Sequence, residues 1–255
     1  MSNIAFPVAG RVTEAVGVTG NSGTSIDAGS AGVYGAWVSL GGSFPFDVDG
    51  FWYMGATDNN PAAQHLFCVA VGAGNDANMI VEDCMIAQAY YQGSQKVWCP
   101  VRVKAGKTIY VKCTQSYTKL AAVIGCAGNF PQPVGFSKMK GLGTASNVPF
   151  SLTTVADTTT TTWVEAVAST ARRYSGLLAQ IDATVVPSSG LFRWRIGIGA
   201  SPSKLAGDFV SVRNANVHNI PSLIPVDIKA GSRLLVAANS GTAVTLYVNL
   251  CGLEA

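Results

Sequence analysis

From Trp37 onward the chain alternates short apolar runs with turn residues. Trp37-Val38-Ser39-Leu40 reads as a strand stopped by Gly41-Gly42, and Phe51 to Met54 reads as a second. Leu66 to Val71 places Phe67, Val69 and Val71 on one face, the period-two pattern of a half-buried strand. Met79 to Ile86 is a weaker candidate, and Val97 to Val103 a clearer one. Lys104-Ala105-Gly106-Lys107 is a tight turn into Thr108 to Cys113, where Ile109 and Val111 alternate with Thr108, Tyr110 and Lys112. Leu120 to Cys126 closes the set. No stretch has helical periodicity. Short strands at this spacing, divided by Gly and Pro, predict an all-β sandwich of the jelly-roll kind.

The pattern then repeats. Leu66-Phe67 and Gly72-Ala73-Gly74 fall on Leu191-Phe192 and Gly197-Ile198-Gly199, and Pro100 to Gly106 falls on Pro225 to Gly231, at a constant offset of 125. At that offset Val111 meets Val236, Val123 meets Val248 and Cys126 meets Cys251; one residue out of step, Trp37-Val38 matches Trp163-Val164 and Gly50 matches Gly176. An internal repeat of this length means two copies of one domain. The predicted organisation is an extended N-terminal arm (1–33), a first β-sandwich (34–128), a linker (129–159) and a second β-sandwich (160–255). The arm and linker carry Gly, Ser, Thr and Pro with little period, and Thr158 to Thr162 should lead in extended form to the Trp163 strand.

Charged residues are 12% of the 255, against roughly 25% in an average soluble protein, and mean hydropathy is +0.29. So little charge predicts surface covered by other subunits, since interface cores are depleted of charge. Net charge is +3, carried by the second copy, which is too sparse for a nucleic-acid footprint. No run reaches the ~20 apolar residues of a membrane span. The start, Met1-Ser2-Asn3, lacks a basic, apolar leader, which predicts assembly in a cytoplasm. Five of the six cysteines lie in the first copy, without zinc spacing, and read as small buried hydrophobes.

Candidate chemistry is thin. His65 and His218 are not equivalent in the repeat, and neither pairs in sequence with a nucleophile. Asp47, Asp49 and Asp58 lack the glycine and glutamate of a calcium loop and read as a solvated loop. The Gly-x-Gly pairs read as strand-end turns. Four glutamates, Glu14, Glu82, Glu165 and Glu254, show no paired-acid pattern. The expectation is no enzyme, no cofactor and no metal. Phe51, Tyr53 and Trp98 should be core. Phe44, Phe46, Tyr90 and Tyr91, in expected loops, are candidate subunit or ligand contacts, and Arg172 and Arg173 are candidate contacts to solvent or a neighbouring subunit.

The Trp37-Val38/Trp163-Val164 strands, the Gly72/Gly74 and Gly197/Gly199 pairs, and Pro100 to Gly106 with Pro225 to Gly231 resemble structural proteins of tailed bacteriophages. That resemblance spans both sandwiches but not the arm. It implies an accessory virion protein, a head decoration (cement) protein that bridges capsid subunits, localised to the virion. Its partners would be the major capsid protein or other virion proteins and further copies of itself, with a trimer as the expected form, and no nucleic acid or membrane. A tail or fibre module binding glycan through loop aromatics, and a double jelly-roll shell protein, are the rival readings.

Overall fold

The computed structural model describes residues 12–19, 22–26, 32–57, 65–86, 95–114, 119–128, 134–143, 150–154, 156, 162–183, 191–200, 204–212 and 222–255. Its strands are β1 (Val12–Val16), β2 (Val18–Thr19), β3 (Ser22–Ile26), β4 (Val38–Ser43), β5 (Gly50–Thr57), β6 (His65–Val71), β7 (Met79–Ile86), β8 (Gln95–Cys99), β9 (Thr108–Cys113) and β10 (Lys119–Ala127). They continue as β11 (Lys138–Leu142), β12 (Phe150–Thr153), β13 (Val164–Val167), β14 (Gly176–Ala183), β15 (Leu191–Ile198), β16 (Lys204–Val212), β17 (Ser222–Ile224), β18 (Leu234–Ser240) and β19 (Thr245–Glu254). One 3-10 turn, Asp76–Asn78, is the only helical element among the described residues.

Strand order establishes the jelly roll. In the first copy one sheet runs β1/β3-β10-β5-β8 and the facing strands run β4-β9-β6-β7. With the β1/β3 segment taken as one strand, these are the two four-strand sheets of a jelly roll. The second copy repeats each pairing: β11/β12-β19-β14-β17 faces β13-β18-β15-β16. Alternation drives the packing. On β9, Ile109, Val111 and Cys113 are buried while Thr108, Tyr110 and Lys112 are half-buried. Phe51, Tyr53 and Trp98 are core, as expected, and Tyr53 stacks on Phe67 at 3.8 Å.

The pairings extend the repeat beyond its sequence limits. Val12 pairs with Ala127 on β10, and Lys138 pairs with Glu254 on β19. β1 and β11 are therefore the same strand of the unit, and β3 and β12 are likewise equivalent. The arm lies, in its described residues, on its own sandwich. The segment expected as a linker supplies two strands to the second. Each jelly roll needs that first strand to cover its last one, so neither segment is a spacer.

The constant offset of 125 is also corrected. Gly72 and Gly199 directly follow their strands, and their N–H groups donate to the carbonyls of Thr108, at the start of β9, and Arg233, just before β18. They have φ of +84° and +100°, a conformation that favours glycine. They lie 127 apart, so Cys68 is equivalent to Arg195 rather than Arg193. Asp49 and Ser175 donate N–H groups to the carbonyls of Cys126 and Leu253, which pairs Cys126 with Leu253 rather than Cys251. Gly41-Gly42 does not stop its strand. β4 runs through to Ser43 with a register shift after Ser39, because Gly41 at φ +76° absorbs a bulge.

One pairing has no counterpart. β11 of the second unit lies parallel to β7 of the first, Met139 beside Val81 and Lys140 beside Glu82. This joins two four-strand sheets into one that runs β17-β14-β19-β11-β7-β6-β9-β4, with β12 also on β19. The first hydrophobic core crosses the join, taking in Met139, Leu178, Cys251 and Leu253 from the second unit. A separate core fills the second sandwich around Trp194, Ile196, Val236 and Leu246.

Candidate functional site

The seam between the jelly rolls gathers the most polar interactions in the described interior. It starts from a bulge in β7, where Phe67 opposes Cys84 but Val69 opposes Val81. Asp83 sits in the bulge at φ +52°, a left-handed conformation that Asp tolerates better than most residues. The bulge turns the backbone of β7 toward the second unit. Tyr34 Oη donates to Asp83 Oδ1 at 2.5 Å, and the Asp83 N–H points at Cys68 Sγ at 3.5 Å. Gly141 on β11 passes directly over the bulge. A Cβ there would fall on the carbonyl oxygen of Asp83 and within 2.6 Å of its Cβ.

Two fully buried amides complete the join. Gln180 Nε2 donates to the Met85 carbonyl at 2.8 Å, and Gln180 Oε1 accepts from the Met85 N–H at 3.2 Å. Asn249 Oδ1 accepts from the same N–H at 3.1 Å, while its Nδ2 donates to the Asp83 carbonyl at 2.9 Å. The side chains thus replace a sheet ladder, satisfying backbone groups of β7 that face away from β6. At the equivalent positions the first unit has Met54 and Ala122. The polar pair therefore belongs to the seam and not to the jelly roll.

At the outer rim, Glu82 holds Lys140 at 2.8 Å and Lys138 at 3.3 Å. Burial alone would raise its carboxyl pKa, but the two ammonium groups outweigh it and the net shift is downward. A depressed folded-state pKa adds stability above the unfolded value, and that stability is lost as pH falls through the folded value. Chemical denaturation should therefore show Glu82→Gln less stable than the parent at neutral pH. The gap should close on acidification below the usual glutamate range; a gap that stays constant would remove Glu82 from the seam's energetics.

This arrangement holds backbone in place and presents no activated nucleophile. Burial pushes the Cys68 thiol up to about 12 and raises Cys84 and Cys99 well above the usual thiol value. Tyr34 is raised too, chiefly by burial, so it stays a phenol that donates to Asp83. All six cysteines are buried thiols outside any disulfide, in keeping with their reading as small hydrophobes. Among the described residues no three His, Cys, Asp or Glu side chains gather as a metal site.

The predicted contact residues do not converge on this seam. Phe44 is corrected outright. It is fully buried, its ring lying where a Cβ on Gly125 would come within 2.5 Å, because β4 runs on to Ser43 and delivers Phe44 into the core. Phe46 is half-buried against the same core. Tyr90, Tyr91, Asp58 and His218 lie outside the described residues. Arg172 is exposed and meets Glu254 at 3.2 Å. Arg173 forks onto Asp227 at 2.7 and 3.0 Å. At the matching corner of the first unit, Asp47 bonds Lys104 at 2.6 Å and accepts the Ala105 N–H at 2.8 Å. The two corners are braced by different positions, since Lys104 is equivalent to Lys229 and Asp227 to Arg102, and Asp47 clamps the Lys104-Ala105 turn. Sequence reasoning missed Asp83, Gln180 and Asn249. The available signal was the departure of Gln180 and Asn249 from apolar residues in the first copy, Met54 for Gln180 and, at either the original or the corrected offset, Ile124 or Ala122 for Asn249.

No protein-family model matches the chain, and no curated protein matches it. Solved structures similar to it include a chain from the triple jelly roll and turret assembly of an archaeal virus, at 12% identity and TM-score 0.25, covering 92% of this chain and 60% of that one. Another is the CBM22-1-CBM22-2 tandem domain of Paenibacillus barcinonensis Xyn10C, at 11% identity and TM-score 0.25, covering 96% and 91%. A third is the infectious bursal disease virus VP2 subviral particle, at 8% identity and TM-score 0.27, covering 83% and 57%. The chain thus spans about 60% of the length of the first. At these scores the likenesses carry no functional argument, and the jelly-roll assignment stands on the strand pairings.

Proposed function

We propose that this chain is a non-enzymatic structural protein of a virion, a decoration protein that binds capsid subunits and stabilises the shell by bridging them. The observation that carries the reading is the seam. Two jelly rolls are locked by a continuous sheet and buried amides into one block with two related binding faces. Such a block suits attachment to a lattice of repeated subunits, where stiffness limits the entropy lost on binding. The polar groups at the seam hold backbone and address no ligand, and low charge fits surface covered on assembly. Fold alone does not decide function.

The order of strands also favours a second reading, a shell protein built as a double jelly roll. One experiment separates the two. Particles lacking the chain are incubated with purified protein, and the protein alone is imaged in parallel. Decoration predicts added density of two adjoining jelly rolls on the particles and a raised temperature of particle rupture. Closed shells from the chain alone would favour the second reading, and a protein that neither binds particles nor assembles would contradict both. The glycan-binding alternative has lost Phe44 from its proposed contacts.

A further inference from the structure

We infer that the outer edges of the two-unit block pair with each other between chains, β16 of one molecule beside β1 of the next, so that the protein associates head to tail. The seam supplies the pattern. There β7 of one unit receives β11 of the following unit in parallel. The repeat makes β16 the equivalent of β7 and β1 the equivalent of β11. Among the described residues β16 pairs only with β15, and β1 only with β10, which leaves the counterparts of both seam edges without a strand.

Three features of these edges bear on the pairing. Exposed large hydrophobics are scarce, and of the three among the described residues Leu205 lies on β16 at 52% exposure, while Val18, at 53%, lies on β2, the short strand that follows β1 and pairs with β3. In the seam register they fall toward opposite ends of the contact. Ala15 stands where the seam needs Gly141. A Cβ is admissible there because β16 lacks the bulge that Asp83 makes in β7; Arg193, Trp194 and Arg195 meet Val210, Phe209 and Asp208 in unbroken register. The charges are not those of the seam. Asp208 replaces Glu82, and Glu14 replaces Lys140, so the register sets two acids on facing edges. Arg193 on β15 forks onto both oxygens of Asp208 and offsets part of its charge. Like charges on facing strands weaken a pairing, so this contact is weaker and more reversible than the seam. A heterologous contact of this kind closes a ring or runs on as a chain, according to its rotation.

The inference rests on strand pairing and not on the virion reading, so either can fail alone. Its test is light scattering of the purified full chain over a concentration series. Wild type should exceed 26.4 kDa as concentration rises. Leu205→Asp blocks only the β16 end and Val18→Asp only the β1 end; both sites are exposed, so near-UV circular dichroism should match wild type. Each variant alone should associate at least about tenfold more weakly. Mixed together, they retain one intact pair of edges and should form a dimer that stops at two. Glu14→Lys, which restores the seam's basic partner to the acid on the facing edge, should tighten association. A wild type that stays at 26.4 kDa, a single variant that still associates, or a mixture that fails to combine would overturn the inference.

Discussion

Gly141→Ala is expected to destabilise the chain by about 3 kcal/mol, the upper end of the usual cost of overpacking. The added Cβ meets backbone, the carbonyl of Asp83, and not the end of a flexible side chain. Relief would require β11 to move off β7, which breaks the Met139 and Lys140 pairings and opens the Glu82–Lys140 contact. The loss should therefore appear in the seam first. Urea denaturation followed by the fluorescence of Trp52 and Trp98 in the first unit and Trp194 in the second should show the two transitions separating. Alanine at the equivalent place in β1, Ala15, is exposed, and among the described residues its strand pairs only with β10, on the inner side. A Gly141→Ala variant as stable as the parent would mean that β11 does not lie on the Asp83 bulge.

The second large effect is cooperative. Gln180→Met and Asn249→Ala install the residues that the first unit carries at the same positions. Gln180→Met removes the donor to the Met85 carbonyl, and Asn249→Ala removes the Asn249 donor to the Asp83 carbonyl. Each should cost about 1–3 kcal/mol, the usual cost of losing a buried hydrogen-bond partner. The Met85 N–H is different, because both side chains accept from it. Either one alone still satisfies it, and only the double variant orphans it. The double variant should therefore lose more than the sum of the singles, by a further ~1–3 kcal/mol for that third group. Simple additivity would indicate that the two amides do not share the N–H.

The jelly roll was legible in the sequence wherever a strand has one buried face. Met79 to Ile86 and Thr108 to Cys113 were placed at their observed limits, and the repeated turns set the two copies side by side. What stayed illegible has a common cause. β1, β3, β11 and β12 pair along the flanks of β10 and β19, so backbone hydrogen bonds hold them more than an alternating apolar face does. Val12-Thr13-Glu14-Ala15-Val16 and Lys138-Met139-Lys140-Gly141-Leu142 share almost no side chains, and the arm and linker looked like spacers for that reason. Bulges hid the rest. Each single-residue bulge shifts the offset between copies, so a gapless alignment paired Cys126 with Cys251 and set Asn249 against Ile124 in place of Ala122. The contact residues were drawn from supposed loops. Phe44 failed because Gly41-Gly42 bends its strand without ending it. The seam itself depends on a parallel pairing between units, which local periodicity does not encode.

Scanning calorimetry of the purified wild-type chain tests the central claim, that the two jelly rolls form one block and are not two tethered domains. The account predicts one transition whose calorimetric and van't Hoff enthalpies agree for the whole chain. Two resolved transitions, each with the enthalpy of a single sandwich, would contradict it.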